Sequence, residues 1–435
     1  MNNTEYFQHA QQYLTGGVSS SFRYNPFTAR PMYLSKAEGA YIYDLEGKRF
    51  IDFFMGHGAC TLGHNRPEIS VAMKQVFDIG FFAEFDHPLT GELAKKITQN
   101  IPAAERVRYV NSGSEATLLS IRLARGYTGR QKIVRIDGQF HGGHDYALVN
   151  NLAANIDRDN PGDRLSQVKH ASAGIPLKVD ETLYVIPWNN AELFEKLCKE
   201  HGHEIAAILM NPIDYNNGCI GSSAQYMQAI RRICDEHGIV FIIDEILSGF
   251  RTGMTGGHGY YGVAPDLCLF GKALTNGIPL AAVAGKEKIM MKIMDPVDPV
   301  VAGGTFSGNL FGCAAGIASL TIMEQAGFFD GWLERVNSFY TQLQTIFDEA
   351  NFPAIVQGLG CTFGIYIGTR EPVTNYHHIA ERTNPELRKA FFLKCIEKGL
   401  YFHTDFTISA QHDEALLTQS LDILREVVRE AKKRM

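Results

Sequence analysis

A single charged residue, Lys272, interrupts the long apolar stretch LCLFGKALTNGIPLAAVAG at residues 267–285. A stretch of this kind is usually buried, and a buried ammonium is costly unless it is paired or releases its proton. Most lysines reach solvent, so Lys272 taken singly also fits a strand-end lysine whose ammonium snorkels to water. The alternative is an enclosed, deprotonated amine, which would be a nucleophile.

A second group with chemical potential consists of Asn111, Ser112, Gly113 and Ser114, within YVNSGSEATLLSIRLA. An apolar strand precedes this group and a helix follows at once, so hydroxyls and free backbone N–H groups meet at a helix N-terminus. Such a terminus favours an anion, because the helix dipole is positive there. An ordinary N-cap by Ser112 or Ser114 is the commoner explanation, and both interpretations stay open here.

A third candidate is Asp244, which ends the strongly apolar run IVFIID. A carboxylate is costly there unless a cation or hydrogen-bond donors meet it. The carboxyl ends of parallel strands are also the usual ligand-binding edge of α/β proteins. Capping of the next helix is the alternative for Asp244, and the neighbouring Glu245 is expected to be solvated.

The three features together indicate one cofactor. An anion-binding helix terminus, a strand-end aspartate and a strand-end lysine at one sheet edge suit a molecule with a phosphate, a basic ring nitrogen and an aldehyde. That molecule is pyridoxal 5′-phosphate. A desolvated Lys272 would have the lowered pKa that Schiff-base formation requires. Asp244 would keep the ring nitrogen protonated, so that the ring accepts electrons.

These residues need a sheet to position them, and the central part of the chain predicts one. Short apolar runs alternate with amphipathic segments, which is typical of βαβ units and a mainly parallel sheet covered on both faces. The predicted strands are Arg106–Val110, Lys132–Ile136, Ile205–Met210, 238–244, Leu267–Phe270 and 280–285. Helices are expected over 114–129 and 223–238, each ending in a glycine stop signal.

The chain ends differ from this central pattern. Residues 39–54 predict a hairpin around Glu46 and Gly47, and residues 413–435 predict an amphipathic helix with a basic tail. We therefore expect an α/β protein with a large domain and a smaller α+β domain built from both chain ends. The expected boundaries are 61–305 for the large domain, with 1–60 and 306–435 in the small one.

Composition narrows the class further. The chain has 435 residues, of which 45% are hydrophobic and 20% charged, as in ordinary globular proteins. The net charge of -6 argues against a nucleic-acid or anionic-membrane partner. No apolar run approaches the roughly 18 residues of a membrane helix, and the first residues lack a signal-peptide pattern. The scattered cysteines form no CxxC pair, so we expect a cytoplasmic protein with reduced thiols and no metal.

At this point the sequence resembles a known family, the class III aminotransferases of fold type I, which depend on pyridoxal phosphate. Within that family it is similar to the glutamate-1-semialdehyde 2,1-aminomutase branch, from residue 13 to about residue 400. The motifs that carry the resemblance are NSGSEA (111–116), FHGGHD (140–145), NPIDYNNG (211–218), DEILSGFR (244–251), PDLCLFGKALTNGIPLAAVAG (265–285) and GGTFSGN (303–309).

The resemblance implies a role for each matching residue. Lys272 would form the Schiff base and Asp244 would pair with the pyridinium nitrogen. The other cofactor-binding residues that it implies are Ser112, Gly113 and Ser114 at the phosphate, Phe140 and Ile246 on the two ring faces, Asn216 at the ring hydroxyl, and His141. Thr305 would reach the phosphate of a neighbouring subunit, which implies a homodimer as the smallest active unit. For His141 a purely structural role is an equal alternative.

The N-terminal segment GGVSSSFR resembles the part of this branch that binds a substrate carboxylate, through Ser20 and Arg23. A guanidinium fork suits a carboxylate, and a surface arginine is the alternative. Other positions depart from the branch. His57 stands where the aminomutase has a pocket tryptophan, and Asn211 replaces a glutamate. The segment after His403 lacks the branch's glutamate-bearing loop.

These observations predict an aminotransferase that moves an amino group between a carboxylate-bearing amino compound and a carbonyl acceptor, in ping-pong fashion through a Lys272 Schiff base. The runner-up is the aminomutase, in which both half-reactions occur within one substrate to give 5-aminolevulinate. A nicotinamide dehydrogenase is disfavoured, because no G-x-G-x-x-G follows a first strand. A non-catalytic regulator would need a basic DNA-binding extension, for which we find no segment.

Overall fold

The computed structural model describes residues 1–80, 82–151, 156–160 and 162–433. Its largest sheet has seven strands. Their spatial order is Arg106–Val110, Ala281–Gly285, Leu267–Phe270, Val240–Glu245, Ile205–Met210, Lys132–Ile136 and Leu183–Ile186. Ala281–Gly285 is antiparallel to both of its neighbours, and the other pairs are parallel. The prediction of an α/β fold with a mainly parallel sheet is confirmed.

The predicted strands match the observed ones with small shifts. The strand predicted over 238–244 begins at Val240, because Gly238 adopts a left-handed conformation that ends the preceding helix. The edge strand Leu183–Ile186 was not predicted. It has only four residues, too few for its apolar run to stand out from the loop before it.

The strand directions bring the chemically important segments to one edge. Asp244 lies opposite Leu269 in the parallel pair, so the chain that leaves the Leu267–Phe270 strand places Lys272 next to Asp244. Ile243 lies opposite Met210 on the other side, which places Asn211 beside Asp244 as well. The segments after Val110 and Ile136 leave their strands at this same edge. Five strands thus converge on one site, as expected for an open α/β sheet.

The helices that cover this sheet and the chain ends are mostly amphipathic. Those of eight or more residues are Asn3–Ala10, Pro67–Ile79, Pro88–Asn100, Gly113–Thr128, Ala191–His201, Ala224–His237, Leu310–Met323, Phe328–Glu349, Pro385–Glu397 and Glu414–Lys432. The two predicted central helices are both present. Gly129 and Gly238 end them in the left-handed conformation, as the glycine stop signals indicated.

The two chain ends pack together around further β-structure. A four-stranded sheet contains Leu400–Tyr401, Arg49–Asp52, Tyr41–Asp44 and Leu34–Glu38, and a three-stranded sheet contains Ala354–Leu359, Thr362–Ile367 and Phe406–Thr407. Phe53 stacks on Phe402 with ring centroids 4.9 Å apart, which joins the predicted hairpin to the C-terminal part. The domain boundaries at residues 60 and 305 stay predictions.

The cysteines and the helices agree with the composition. All eight cysteines are free thiols, and seven of them are buried. Among the described residues, no helix combines the length and apolar character needed to cross a membrane.

Arg135 organises the loop that leads from the Lys132–Ile136 strand into the site. Its guanidinium is almost fully buried and donates hydrogen bonds to the carbonyls of Gln139, Ala147 and Val149, at 2.6, 3.0 and 2.7 Å, and to that of Tyr146 at 3.3 Å. A buried carbonyl without a donor is costly. This one side chain therefore stabilises the loop after Ile136 by donating to four of its carbonyls.

Replacing Arg135 with methionine keeps an apolar stem and removes these donors. We expect the free energy of unfolding, measured by urea denaturation, to fall by about 3 kcal/mol, because several carbonyls are left buried and unpaired. Arg425→Gln breaks only an exposed pair with Asp422 and should change it by less than about 0.5 kcal/mol. Equal stability of the two variants would contradict the role given to Arg135.

Candidate active site

A cavity of about 290 Å³, here called the Lys272 cavity, lies at the carboxyl edge of the large sheet. Many of the residues singled out in the sequence line it. They are His57, Gly113, Ser114, Phe140, His141, Asn216, Asp244, Ile246 and Lys272. Residues that are separated by more than 200 positions in the sequence are therefore brought around one space.

Lys272 is held in an unusual backbone conformation at the end of its strand. Its φ is +45°, in the left-handed region that non-glycine residues seldom adopt. Burial lowers the pKa of Lys272 to about 8, while Asp405 and Asp244 act in the opposite direction. The unprotonated fraction of the amine near neutral pH is therefore much larger than for an ordinary exposed lysine, and a nucleophilic lysine reacts through this form.

Asp244 is buried, and both of its carboxylate oxygens accept hydrogen bonds. Oδ2 lies 2.7 Å from His141 Nδ1, and Oδ1 accepts from the backbone N–H of Ile246 at 3.0 Å. Burial lowers the pKa of His141, so the ring is neutral and donates its Nδ1 proton. Asp244 is therefore a fixed carboxylate that faces the cavity. The neighbouring Glu245, expected to be solvated, is instead fully buried against His258.

The two serines of the predicted anion-binding segment, Ser112 and Ser114, make different contacts. Ser112 is the N-cap of the Gly113–Thr128 helix, and its side chain accepts from Glu115 N at 3.2 Å. This is the ordinary capping role. Ser114 instead lines the cavity and accepts from the backbone N–H of Gly143 at 2.9 Å. A Cβ on Gly142 would come within 2.6 Å of Ser114 Oγ, so only glycine allows this close approach.

Apolar side chains and amides complete the lining of the Lys272 cavity. Phe140 and Ile246 both line the cavity, and Phe140 meets Phe22 edge to face with centroids 5.8 Å apart. Asn211 exchanges two backbone hydrogen bonds with the side chain of Gln139, and its own amide donates to the carbonyl of Asp244 at 3.1 Å. The asparagine that replaces a glutamate is therefore used to tie neighbouring strand ends together.

Sequence reasoning missed Asp405, the most deeply buried carboxylate near the lysine. It has no exposed surface, and it is hydrogen-bonded to His57 Nδ1 and Thr404 Oγ1. Burial alone would raise its pKa, but His57 and Lys272 lower the pKa of Asp405 to about 2. Its Oδ2 has no hydrogen-bond partner among the described residues. An aspartate in the mixed polar and aromatic segment HTDFT gave no signal, because its burial depends on distant parts of the chain.

Other predicted residues lie outside this cavity. Arg23 is exposed, and Ser20 accepts a hydrogen bond from Phe22 N at 3.4 Å. Thr305 is exposed in the turn that precedes the Leu310–Met323 helix. His403 is buried and stacks on Phe54, with centroids 4.3 Å apart. The roles of Ser20, Arg23 and Thr305 stay predictions.

The residues present fit pyridoxal 5′-phosphate. A helix N-terminus with a glycine-lined approach suits a phosphate. An apolar space between Phe140 and Ile246 suits a flat ring, and a buried carboxylate suits a ring N–H. An amine of lowered pKa suits an aldehyde. The fold and this site are those of a pyridoxal-phosphate-dependent aminotransferase.

Comparisons with known proteins identify the family. The model of the aminotransferase class-III family matches residues 24–424, and the chain belongs to this family. A relative from Methanocaldococcus jannaschii, named glutamate-1-semialdehyde 2,1-aminomutase, is 34% identical over 430 residues, with 97% of each chain covered. A protein of the same name from Methanobrevibacter smithii is 35% identical over 442 residues, with both chains fully covered.

A solved structure gives the same assignment. An omega-transaminase from Sphaerobacter thermophilus has a TM-score of 0.92 and 26% identity, covering 99% of this chain and 98% of that one. The predicted resemblance, fold class and enzyme class are thereby confirmed.

The pKa of Lys272 can be tested in the cofactor-free protein. We expect acylation of its amine, followed across pH by peptide mass spectrometry, to have a midpoint near pH 8. Asp405→Asn should lower this midpoint, because a nearby negative charge that favours the ammonium is removed. Asp52→Asn is the matched control, since Asp52 is also a buried aspartate paired with a histidine, His64. An unchanged midpoint in Asp405→Asn would contradict the coupling.

Proposed function

We propose that this chain transfers an amino group between a carboxylate-bearing amino compound and a carbonyl acceptor, in two half-reactions at Lys272. The observation that carries the proposal is the pairing of an amine of lowered pKa with a buried, hydrogen-bonded carboxylate, Asp244, in one cavity. Neither group is placed in this way for stability, because each would be less costly in solvent.

The cofactor is pyridoxal 5′-phosphate, in agreement with the prediction from the sequence. A transaminase with PLP bound shares the fold at a TM-score of 0.88 and 26% identity. When bound, the cofactor supplies an aldehyde that forms Schiff bases with amines and a ring that accepts electrons. Ser114 and the N–H groups of the Gly113–Thr128 helix would hold its phosphate, and Phe140 and Ile246 would flank its ring.

Lys272 has two roles in this proposal. A pKa near 8 would make its Nζ available as the free amine that an aldehyde needs to form a Schiff base. Once released from the cofactor, the same Nζ would be the base that takes a proton from the carbon bearing the transferred nitrogen, and the acid that returns it. The left-handed backbone at Lys272 sets the direction in which the side chain leaves the strand end.

Asp244 and His141 hold a proton at the opposite end of the site. Asp244 would accept from the ring nitrogen of the bound cofactor and stabilise its protonated form, and His141 holds the carboxylate in place through its Nδ1 hydrogen bond. His141 is therefore a positioning residue in this scheme. Asn216 lines the cavity where an amide would meet the ring hydroxyl.

The quaternary part of the proposal rests on the family resemblance, and the cellular part rests on the scattered cysteines of the sequence. The unit that carries out the reaction is a homodimer, with Thr305 contributed to the neighbouring site. Its exposure in a single chain supports this role, since Thr305 is free to contact a second subunit. The location proposed is the cytoplasm.

Borohydride reduction of the holoenzyme tests the assignment of the lysine. We expect peptide mapping to find the pyridoxyl group on Lys272 alone. Lys272→Ala should retain cofactor without a covalent label and lose turnover by at least about 10⁴-fold. Lys398→Ala removes an exposed lysine that pairs with Glu426 and should be labelled like the wild type. A label on another lysine would contradict the proposal.

The second candidate is glutamate-1-semialdehyde 2,1-aminomutase activity. The specific observation in its favour is that the relatives from Methanocaldococcus jannaschii and Methanobrevibacter smithii carry this name at 34% and 35% identity. Against it, His57 is paired with Asp405 at the position that the resemblance gives to a tryptophan. This pairing places a polar, hydrogen-bonded group where the branch has an apolar ring.

Glutamate-1-semialdehyde supplied without a separate amino donor distinguishes the two candidates. For the aminotransferase we expect no more than a single turnover per active site, because the amino group must leave with a second substrate. Continuous formation of 5-aminolevulinate, followed by colorimetric assay, would favour the aminomutase. His57→Trp is the informative variant, and a gain of 5-aminolevulinate formation would identify this position as a determinant of the reaction.

A further inference from the structure

A second cavity, here called the Arg388 cavity, adjoins the Lys272 cavity. It measures about 450 Å³, and Asn216, Asn217 and Thr404 line both spaces. The two cavities therefore adjoin at these three side chains, here called the wall.

Arg388 lines this cavity and, among the described residues, forms no ion pair. It lies in the first turn of the Pro385–Glu397 helix, and its guanidinium packs over the rings of Phe27 and Phe392, 5.1 and 5.4 Å from their centroids. In the part of the chain that the structure describes, no carboxylate lies within ion-pair distance of it. No hydrogen bond from its guanidinium is present there either. Its fork of donors is therefore available to a ligand.

Three other enclosed arginines use most of their side-chain donors on partners within the protein. Arg135 donates to loop carbonyls, and Arg251 donates to Thr362 Oγ1 and to the carbonyls of Gly249 and Gly58. Arg231 is paired with Asp266. Arg388 differs from them because two aromatic rings orient the guanidinium without using its donors. Aromatic stacking of this kind leaves the planar fork free to bind a carboxylate at two points.

The remaining charges of the cavity leave it positive. Lys389 and Glu386 also line it, and both are exposed, so they largely offset one another. Within the described residues no arginine lines the Lys272 cavity itself, where Lys272 and Asp244 are the lysine and carboxylate present. The adjoining cavity therefore offers a guanidinium to a substrate carboxylate, at a place other than the exposed Arg23 that the sequence predicted.

We propose that Arg388 binds the carboxylate of a substrate whose amino group reacts at Lys272, so that the enzyme selects amino acids with the two groups separated by several bonds. This inference rests on the proposed function. The wall of Asn216, Asn217 and Thr404 sets the separation, because the carboxylate must pass it to reach the guanidinium. Asn217 is itself fixed by hydrogen bonds to Asp214 and Tyr376, at 3.1 and 2.9 Å, so the wall is rigid.

Straight-chain carboxylates without an amino group test the binding step apart from turnover. Propanoate, butanoate, pentanoate and hexanoate are titrated into the holoenzyme by calorimetry. We expect the longer members to bind more tightly than propanoate. Arg388→Met, which keeps the packing on Phe27 and Phe392, should weaken their binding by at least about tenfold. Lys394→Met is the matched control on the same helix, because Lys394 pairs with Glu397 and lines neither cavity; it should bind them within about twofold of the wild type.

The second measurement uses reactive compounds. The first half-reaction is followed by loss of the visible cofactor absorbance with 4-aminobutanoate, 5-aminopentanoate and 6-aminohexanoate, and with the n-alkylamines of equal length. Arg388→Met should raise the half-saturating concentration of the amino acids by about tenfold and leave that of the amines unchanged. Arg388→Gln repeats both tests if the methionine variant does not fold.

The outcomes separate the two proposals. If neither amines nor amino acids change the absorbance, the proposed function fails, while carboxylate binding still decides the role of Arg388. If carboxylates bind equally to wild type and both Arg388 variants, the inference about Arg388 is wrong even when amino transfer occurs. A parallel loss with amines and amino acids would show that Arg388 only supports the fold, and would also overturn it.

Discussion

The parallel pairing of Val240–Glu245 with Leu267–Phe270 is the constraint on which the site depends. It sets Asp244 opposite Leu269, and the chain that leaves the second strand then delivers Lys272 to the same edge. A slip of one residue would turn Asp244 to the other face of the sheet, since side chains alternate along a strand. The apolar residues on both strands hold this register, because every one of them is buried. The reactive pair is thus fixed by the core itself.

Around this pair, buried polar groups are matched to specific partners. Asp244 is hydrogen-bonded to His141, and Asn211 to Gln139. Arg135 donates to carbonyls of the loop that follows the Lys132–Ile136 strand. Each of these groups would be costly if left unpaired, so the network admits few alternative arrangements. A pre-organised site follows, in which the amine and the carboxylate keep their places before any ligand arrives.

The two chain ends supply the side of the Lys272 cavity that faces away from the large sheet, through residues such as His57 and Thr404. His57 comes from the N-terminal part, Asp405 and Thr404 from the C-terminal part, and they meet beside Lys272. Their electrostatic effect opposes that of burial, because Asp405 favours the ammonium form of the lysine. The Arg388 cavity begins at the same wall. The central sheet therefore supplies Lys272 and Asp244, whereas the chain ends supply the residues that border the rest of the cavity.

The sequence by itself determined the central strands, the hairpin near residue 46, the terminal helix, and the roles expected of Lys272 and Asp244. These features are local: strand periodicity and a lone charge in an apolar run can be recognised within about twenty residues. It also indicated both serines, but only the structure separated Ser112, which caps the helix, from Ser114, which faces the cavity. Asp405 was beyond sequence reasoning, because its partner His57 is 348 residues away, and the burial of Glu245 was missed because no periodic pattern links it to His258. Tertiary structure alone decided those groups, since the energy of a buried charge is set by what the fold places around it.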